Sequence, residues 1–412
     1  MDWTTPEEIT GLIAKIDAFI ADEIKPLEAA HPQFFDHRRE HFRTDWENDG
    51  YPHPAWTELL DEMRRRADNA GIYRFGLPID LGGQAGSNLA MAMIREHLTA
   101  IGPGLHFPYA DEASIVGNLP LALVLFQFGT PAQKERYLYP YVAGEIEIAF
   151  GLTEPKHGSD ATYLETTARP EGTDWVINGV KRFNSLANVA AVDLVFARTS
   201  GQPGKAAGIT AFLVPTNSFG FEVPFNHWTY NMPSDHCEVK LTEVRVPAEA
   251  VLGEVGAGLD CAQLFVHENR IRQAASSLGA AAFCTERSVR YSQSRSVFGK
   301  QLRDYQGIQW QLVELLTDVE FLRNTIYKVA WLMDQGGRTS VSDKVAMVNY
   351  RANQLACQAA DRAIQVHGGM GYTRALPFEH IFRHHRRYRI TEGSDELQMR
   401  RIAAVAFGFG SK

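Results

Sequence analysis

Apolar residues recur at helical spacing through the first 145 positions. Ile9, Leu12, Ile13, Ile16, Phe19 and Ile20 share one face of a helix opened by Pro6, Glu7 and Glu8, because proline suits the first helical turn and acids favour its positive end. Pro26 predicts the end of that helix. Residues 31–54, with three prolines and many charges, predict an irregular excursion before a helix over about 56–70. A Gly/Pro-punctuated loop at 76–87 precedes two apolar helices, at 88–101 and 113–128. Thr130-Pro131 then reads as an N-cap with proline at the first helical position.

Near Glu145 the period changes from 3.6 to 2. Val192–Arg198, residues 209–214, and Val239 with Leu241 followed by Val244 with Val246 read as strands, and the parity shift between Leu241 and Val244 predicts a bulge. Asn178-Gly179 predicts a tight hairpin turn between 175–177 and a strand starting at Val180. Helical spacing then returns in Ile308, Leu312, Leu315, Leu316, Val319, Leu322, Ile326 and Val329, a stripe long enough for a bundle. The pattern predicts an α+β chain in three domains: helical at 1–145, antiparallel β at 146–255 and helical at 256–412.

Composition narrows the partners. The chain has 412 residues, enough for two or three domains, and its 45% hydrophobic content excludes disordered and small disulfide-stapled classes. With 41 Lys and Arg against 49 Asp and Glu the net charge is −8, which lacks the basic excess that nucleic acid demands. The four cysteines, Cys237, Cys261, Cys284 and Cys357, form no CxxC pair and suit a reducing compartment. The start, MDWTTPEE, is acidic where a secretory signal is positive. The longest charge-free run, between Glu112 and Lys134, is broken by Pro120, Gly129 and Pro131, and its solidly apolar part at 119–126 is too short to span a bilayer. A cytoplasmic protein without a membrane or nucleic-acid partner is expected.

Three segments carry candidate chemistry. His37-Arg38-Arg39-Glu40-His41 matches the inverted zinc-protease pattern, but nothing marks a third ligand, so a solvated segment and no metal are expected. Neither a phosphate-binding G-x-x-x-x-G-K-S/T nor a G-x-G-x-x-G is present. HGGMG (367–371) allows close backbone approach to a ligand, and equally a sharp turn at a helix end. GLTEPKHGSD (151–160) joins two hydroxyls and two carboxylates around a rigid proline and a permissive glycine at the helix-to-strand transition, which suits a ligand loop or a polar turn.

GLTEPKHGSD resembles the first signature of the acyl-CoA dehydrogenase family, and QVHGGMGYTRALPFEHIFR (365–383) resembles its second. PIDLGG (78–83), FGTPAQKERYLYPYVAGE (128–145) and SRSVFGKQL (294–302) resemble further family segments, in the family's order and spacing along the whole chain. The resemblance implies a helical N-terminal domain, a middle β-barrel or sandwich and a C-terminal four-helix bundle. It also implies a FAD flavoprotein of lipid catabolism that dehydrogenates an acyl-CoA to its trans-2-enoyl product. By the same resemblance the base falls on Glu392 in RITEGS (389–394), 27 residues beyond Gln365. By residue type alone, a Glu between Thr391 and Gly393 also suits a helix start. A second subfamily takes its base from the residue before a shared Arg; here that Arg is Arg270, preceded by Asn269, with Glu268 about 100° away round the helix. Arg270 is expected beside Glu392 as its charge partner.

For the flavin, the resemblance implies Phe150, Leu152, Thr153, Gly158 and Ser159 from the first signature, with Phe183 and Ser185 in KRFNS (181–185). Phe183 stands where the family usually has Trp and keeps an aromatic face without the indole N–H. Pyrophosphate and adenine contacts fall on Arg295, Phe298, Gln306, Gln365, Gly369, Ser394 and Glu396, partly from a neighbouring subunit, which implies a homotetramer built as a dimer of dimers. Two departures are Lys156-His157, bulkier than usual, and the basic run 383–389, which suits CoA or FAD phosphates or, alternatively, a solvated or subunit-contact face. Three activities fit the scaffold: a dehydrogenase serving an electron-transfer flavoprotein, an oxygen-using oxidase or monooxygenase, and a non-catalytic scaffold. The presence of Glu392 favours the first.

Overall fold

The computed structural model describes residues 6–110, 112–336 and 341–409, without the side chains of His37, Arg39 and Glu40, so the zinc-protease pattern at 37–41 and the acidic start at 1–5 lie wholly or partly outside the described residues. It divides into two compact units, residues 1–43, 54–118 and 269–412 in one and 44–53 and 119–268 in the other.

The first unit is helical. Its main helices are α1 (Glu7–Phe19), α2 (Pro54–Asn69), α3 (Asn88–Ala100), the part of α4 (Leu259–Ser294) from Asn269 onward, α5 (Gln306–Gly336), α6 (Ser342–His367), α7 (Phe378–Tyr388) and α8 (Asp395–Ala406). Helices from both ends of the chain share one apolar core, in which Ile16, Met63, Ile94, Leu278, Ile326 and Val345 are fully buried. Leu312, Leu315, Val319, Ile326 and Val329 of α5 face that core as the stripe predicts, whereas Leu316 lies outside it and is exposed. The first helix does not end at Pro26. A π turn over Ile20–Ile24 resets the hydrogen-bond ladder, and a new α segment, Lys25–Ala30, takes Pro26 into its first turn, where no N–H is needed. Residues 113–119 are not helical either: Gly117 N donates to Tyr73 O (2.9 Å), and the next helix is Pro120–Phe128, with proline in its first turn.

The second unit is built on an eight-stranded sheet: β1 (Ile148–Gly151), β2 (Thr167–Glu171), β3 (Asp174–Ser185), β4 (Val192–Arg198), β5 (Ile209–Pro215), β6 (Phe221–Asn226), β7 (His236–Pro247) and β8 (Val251–Leu252). The order is β8-β5-β4-β2-β3-β7-β6, with β1 paired to β4 off that path. The sheet is mixed rather than antiparallel. β1 runs parallel to β4, because the long loop after β1 and the β2–β3 hairpin intervene before the chain returns, and β2 meets β4 in parallel at Thr167 and Arg198. Asn178-Gly179 is not a turn: β3 runs straight through it, and the β2–β3 turn falls at Gly172-Thr173. The expected bulge explains why. Leu241 pairs with Gly179 and Val244 with Ile177, so Thr242 and Glu243 oppose Asn178 alone, and Asn178 binds Glu243 through its side chain (Nδ2 to Oε1 2.6 Å; Glu243 N to Oδ1 2.8 Å). Thr130 and Gln133 form the expected cap as a reciprocal capping box. All four cysteines are free and buried. No described helix is long and apolar enough to cross a membrane.

Candidate active site

Glu392 occupies the turn between α7 and α8 in the left-handed region (φ +55°), followed by Gly393 at φ +96°. A side chain at Gly393 would press on Leu397 Cδ2 (2.9 Å) and Arg270 Nη2 (3.0 Å), so the turn needs glycine there. Three donors hold the Glu392 carbonyl: Arg270 Nε (2.9 Å), Arg270 Nη2 (2.7 Å) and Gln398 Nε2 (3.1 Å). Arg270 thus stands beside Glu392 and couples to its charge, as expected, but its hydrogen bonds go to the backbone carbonyl rather than to the carboxylate. Its planar fork converges on one oxygen and fixes the turn. Burial lowers the Arg270 pKa to about 10, with the nearby Glu392 charge opposing the shift.

Asn269 Nδ2 donates to Glu392 Oε1 (3.2 Å), while Oε2 accepts no hydrogen bond among the described residues. The residue at the alternative base position thus orients the carboxyl of Glu392. Asn269 is aligned in turn: its Oδ1 accepts from Asn118 Nδ2 (2.8 Å), and Asn118 Oδ1 accepts from Arg272 Nη1 (2.6 Å). Desolvation is the largest influence on the Glu392 carboxyl and raises its pKa to about 7; Arg270 opposes this and Glu112 adds to it. Glu112 is itself held by Arg95 Nη2 (3.0 Å) and Arg387 Nη2 (3.1 Å). Sequence reading missed Asn118, Glu112 and Gln398, none of which stands in a segment with a chemical pattern. Glu268 is buried.

The run 383–389 is largely drawn into the fold, with its arginines partly buried. His384, His385 and Tyr388 are buried, Arg383 pairs with Glu379 one turn back (2.7 Å), Arg387 with Glu112, and Arg389 with Asp395 (2.8 Å). Burial depresses the His385 pKa to about 3, so its imidazole stays neutral.

The other expected positions of this unit lie at helix ends. Arg295 is exposed at the end of α4, followed by a tight hairpin with Phe298 at its tip (φ +48°, 99% exposed), and Gln306 opens α5. Gln365 and Gly369 are exposed at the end of α6, which Tyr291 of α4 meets through His367 (ring centroids 4.3 Å). Ser394 caps α8, its Oγ accepting from Leu397 N (3.4 Å), and Glu396 is in the first turn, where the backbone N–H and the Ser394 hydroxyl lower its pKa.

In the second unit, Phe150 stacks on Phe265 (4.2 Å, 9°) and also meets Phe196 (5.1 Å), so its ring is used in packing. Leu152 O accepts from Lys181 Nζ (3.3 Å) and Thr153 O from Arg182 N (2.9 Å); Gly158 and Ser159 are exposed on the loop. Phe183 sits at a second β3–β7 register shift, with φ +63°, and leaves 48% of its surface open beside His227 (4.9 Å). Ser185 ends β3. Lys156 pairs with Glu165 (3.2 Å) and His157 with Asp160 (2.8 Å), both within the loop. Glu154 points inward, its carboxylate bound to Lys181 Nζ (2.8 Å), and on β4 the buried Asp193 accepts from Asn184 Nδ2 (2.6 Å). Glu154 was read as one of two carboxylates of an exposed ligand loop or polar turn and is instead buried on Lys181, while the roles of Lys181, Asn184 and Asp193 went unread, although an Asp inside the apolar run VDLVF was the available signal. Among the described residues no cluster of His, Cys, Asp and Glu could hold a metal.

Comparisons with known proteins agree along the chain. Family models for the acyl-CoA dehydrogenase N-terminal, middle and C-terminal domains match residues 6–145, 149–244 and 256–407. The 3-(aryl)acrylate reductase of Clostridium sporogenes is 33% identical over 351 residues, 84% of this chain and 90% of that protein. The caffeyl-CoA reductase-Etf complex subunit CarC of Acetobacterium woodii is 29% identical over 351 residues (84% and 89%), and the short-chain-specific acyl-CoA dehydrogenase of Megasphaera elsdenii 33% over 357 (83% and 88%). Among solved structures, a putative acyl-CoA dehydrogenase from Mycobacterium abscessus superimposes with a TM-score of 0.85 at 27% identity, covering 99% of this chain and 100% of that one. A Mycobacterium smegmatis glutaryl-CoA dehydrogenase in complex with FADH2 gives 0.79 at 25% identity, covering 98% and 95%. The chain belongs to the acyl-CoA dehydrogenase family, oxidoreductases acting on a CH–CH bond.

Proposed function

We propose that this protein removes hydrogens from Cα and Cβ of an acyl-CoA thioester to give the trans-2-enoyl-CoA, with Glu392 as the base. The carrying observation is the Glu392 carboxyl, with one oxygen steered by Asn269, the other without a partner among the described residues, and a pKa near 7. A base with that pKa is half ionised at neutral pH and strong enough to take a weakly acidic α-proton from a bound thioester. Arg270 and Gln398 act as positioning residues, since they fix the turn that aims the carboxyl.

FAD is the cofactor of the family, and the residues of the second unit fit a flavin. The open face of Phe183 offers a stacking surface. Thr153, Ser159 and Ser185 carry hydroxyls that no hydrogen bond engages among the described residues. When bound, FAD accepts the β-hydrogen as hydride. The exposed Arg295, Phe298, Gln306, Gln365 and Gly369, with Ser394 and Glu396, are proposed for its phosphate and adenine end. Arg270 and Arg295 are separated by 25 residues of α4, about 37 Å at 1.5 Å per residue. That is farther than one dinucleotide reaches, which supports a cofactor shared between subunits of a homotetramer. The three-part division 1–145, 146–255 and 256–412, a cytoplasmic setting in lipid catabolism and an electron-transfer flavoprotein as electron acceptor complete the reading.

Anaerobic titration with a panel of acyl-CoAs, following loss of the flavin band, tests the activity. One member is expected to bleach the wild type, and Glu392→Gln to slow that bleaching about 10²–10⁴-fold without loss of flavin. Unimpaired bleaching by Glu392→Gln defeats the assignment. Rapid reoxidation in air points instead to the oxidase or monooxygenase. The relatives named as reductases favour a second direction, in which a protonated Glu392 returns the α-proton to an enoyl-CoA. Reoxidation of the reduced enzyme by an enoyl-CoA under anaerobic conditions, seen as return of the yellow band, measures it.

A further inference from the structure

We propose that the buried Glu154–Lys181 pair is a positioning device for the flavin, clamping the loop 152–166 to β3 before any ligand arrives. This rests on the FAD reading above. Both side chains are almost wholly buried, 3% and 0% exposed. The hydrogen bonds of the pair all close the loop, and the Lys181 charge also faces the buried Asp193 of β4. Glu154 Oε1 accepts from Lys181 Nζ (2.8 Å) and Thr166 N (2.9 Å), and Oε2 accepts from Glu165 N (2.5 Å). Lys181 Nζ donates in addition to Leu152 O (3.3 Å), and Arg182 N to Thr153 O (2.9 Å). One carboxylate therefore ties the start of the loop to its end and both to the strand. Inside the loop, Glu154 and His157 exchange backbone hydrogen bonds (2.9 and 3.2 Å), which shapes the stretch leading to Gly158 and Ser159.

The strand side is anchored as well. Asn184 Nδ2 donates to Asp193 Oδ2 (2.6 Å), and both are fully buried. A Cβ on Gly151 would lie 2.8 Å from Asn184 Nδ2 and 3.1 Å from Asp193 Oδ1, so the glycine leaves room for this contact. Lys181 and Asn184 thus pin β3 on either side of the irregularity that turns Phe183 outward at φ +63°. The groups proposed for the flavin, Thr153 and Ser159 on the loop and Phe183 and Ser185 on the strand, are consequently held by one internal set of contacts.

A satisfied buried ion pair adds little net stability compared with an apolar pair of similar size, whereas it does fix one arrangement; removing a single partner leaves an uncompensated charge. That contrast separates positioning from mere structure. The test uses the full chain as Glu154→Gln, Lys181→Met and the double variant Glu154→Leu/Lys181→Met. Stripped of flavin, each is followed by thermal unfolding and by hydrogen exchange over 152–166; FAD affinity is then read by fluorescence quenching, and the flavin absorption envelope is recorded. The double variant, which also leaves the Glu165 and Thr166 N–H groups without their acceptor, is expected to stay folded with a lower unfolding temperature than wild type, to exchange the loop amides at least tenfold faster, to bind FAD at least tenfold more weakly and to show an altered flavin band. A folded double variant with wild-type FAD affinity and spectrum overturns the proposal, whatever its exchange. So does failure of all three variants to fold, which would make the pair a folding element only. If wild-type protein itself takes up no FAD, the cofactor reading fails, while hydrogen exchange still reports whether the pair clamps the loop.

Discussion

At Glu392 the backbone conformation costs a residue with a side chain about 1–2 kcal/mol, and the three donors on its carbonyl are what hold it there. The family resemblance named Glu392 and Arg270 together but not the atoms joining them: their charges do couple, while the hydrogen bonds of the guanidinium go to a carbonyl that only the folded turn presents. The carboxyl is left to titrate near pH 7. Dehydrogenation needs it ionised, so the rate should rise through about pH 7. Glu112 raises that pKa through its charge, so Glu112→Gln should move the rise to lower pH. The pH dependence of flavin reduction checks the sign, and a profile that stays in place or moves to higher pH refutes the role given to Glu112. The stability linkage runs in the opposite sense to an ordinary salt-bridged acid. Because the folded pKa lies above the unfolded value, the native state binds the extra proton, and Glu392 makes the fold progressively less stable from about pH 4.5 to pH 7.

Elements with a sustained period were the legible ones. The α5 stripe, Leu316 apart, and the runs of β4 and β5 match the structure because tertiary packing uses the same period that the sequence displays. Local punctuation failed where a neighbour supplied what the rule assumes is missing. Pro26 does not stop the first helix, because the π turn before it resets the ladder. Asn178-Gly179 makes no hairpin, because the two-residue bulge of β7 receives the Asn side chain, and Gly179 is there for close approach to Thr166. A Cβ at 179 would lie 2.8 Å from the Thr166 Cα. Gly179→Val should accordingly destabilise the protein by about 1–3 kcal/mol through overpacking, measured as a lower midpoint in urea. A true turn glycine would instead tolerate Asn, so Gly179→Asn separates the two explanations: it too should lower the midpoint. Thr166 takes two roles at once, since its N–H binds Glu154, and the 179 variants should also disturb the loop clamp.

For the molecule as a whole, the net charge of −8 suggested that arginines serving polyanions must be gathered locally. Arg383, Arg387 and Arg389 of the 383–389 run pair with carboxylates of the same chain, whereas Arg295, at the far end of α4 from Arg270, is exposed and is proposed for the phosphate contact. Assembly then becomes part of the site. The face of α5 turned away from the core supports it: Trp310 and Phe321, three turns apart on the same side, are 63% and 68% exposed, with Val313 and Trp331 also open. Large aromatics so exposed on a helix are the residues that anchor interfaces. The double substitution Trp310→Glu/Phe321→Glu should leave the helical core intact, because neither ring contributes to it, and yet break the proposed tetramer into smaller species. If Arg295, Phe298 and Gln306 act across subunits, FAD should be lost in the same step. Sedimentation velocity followed at the protein and flavin wavelengths gives both quantities at once. Smaller species that retain full flavin would refute the sharing of the cofactor, and an assembly of unchanged size would refute this face as the contact.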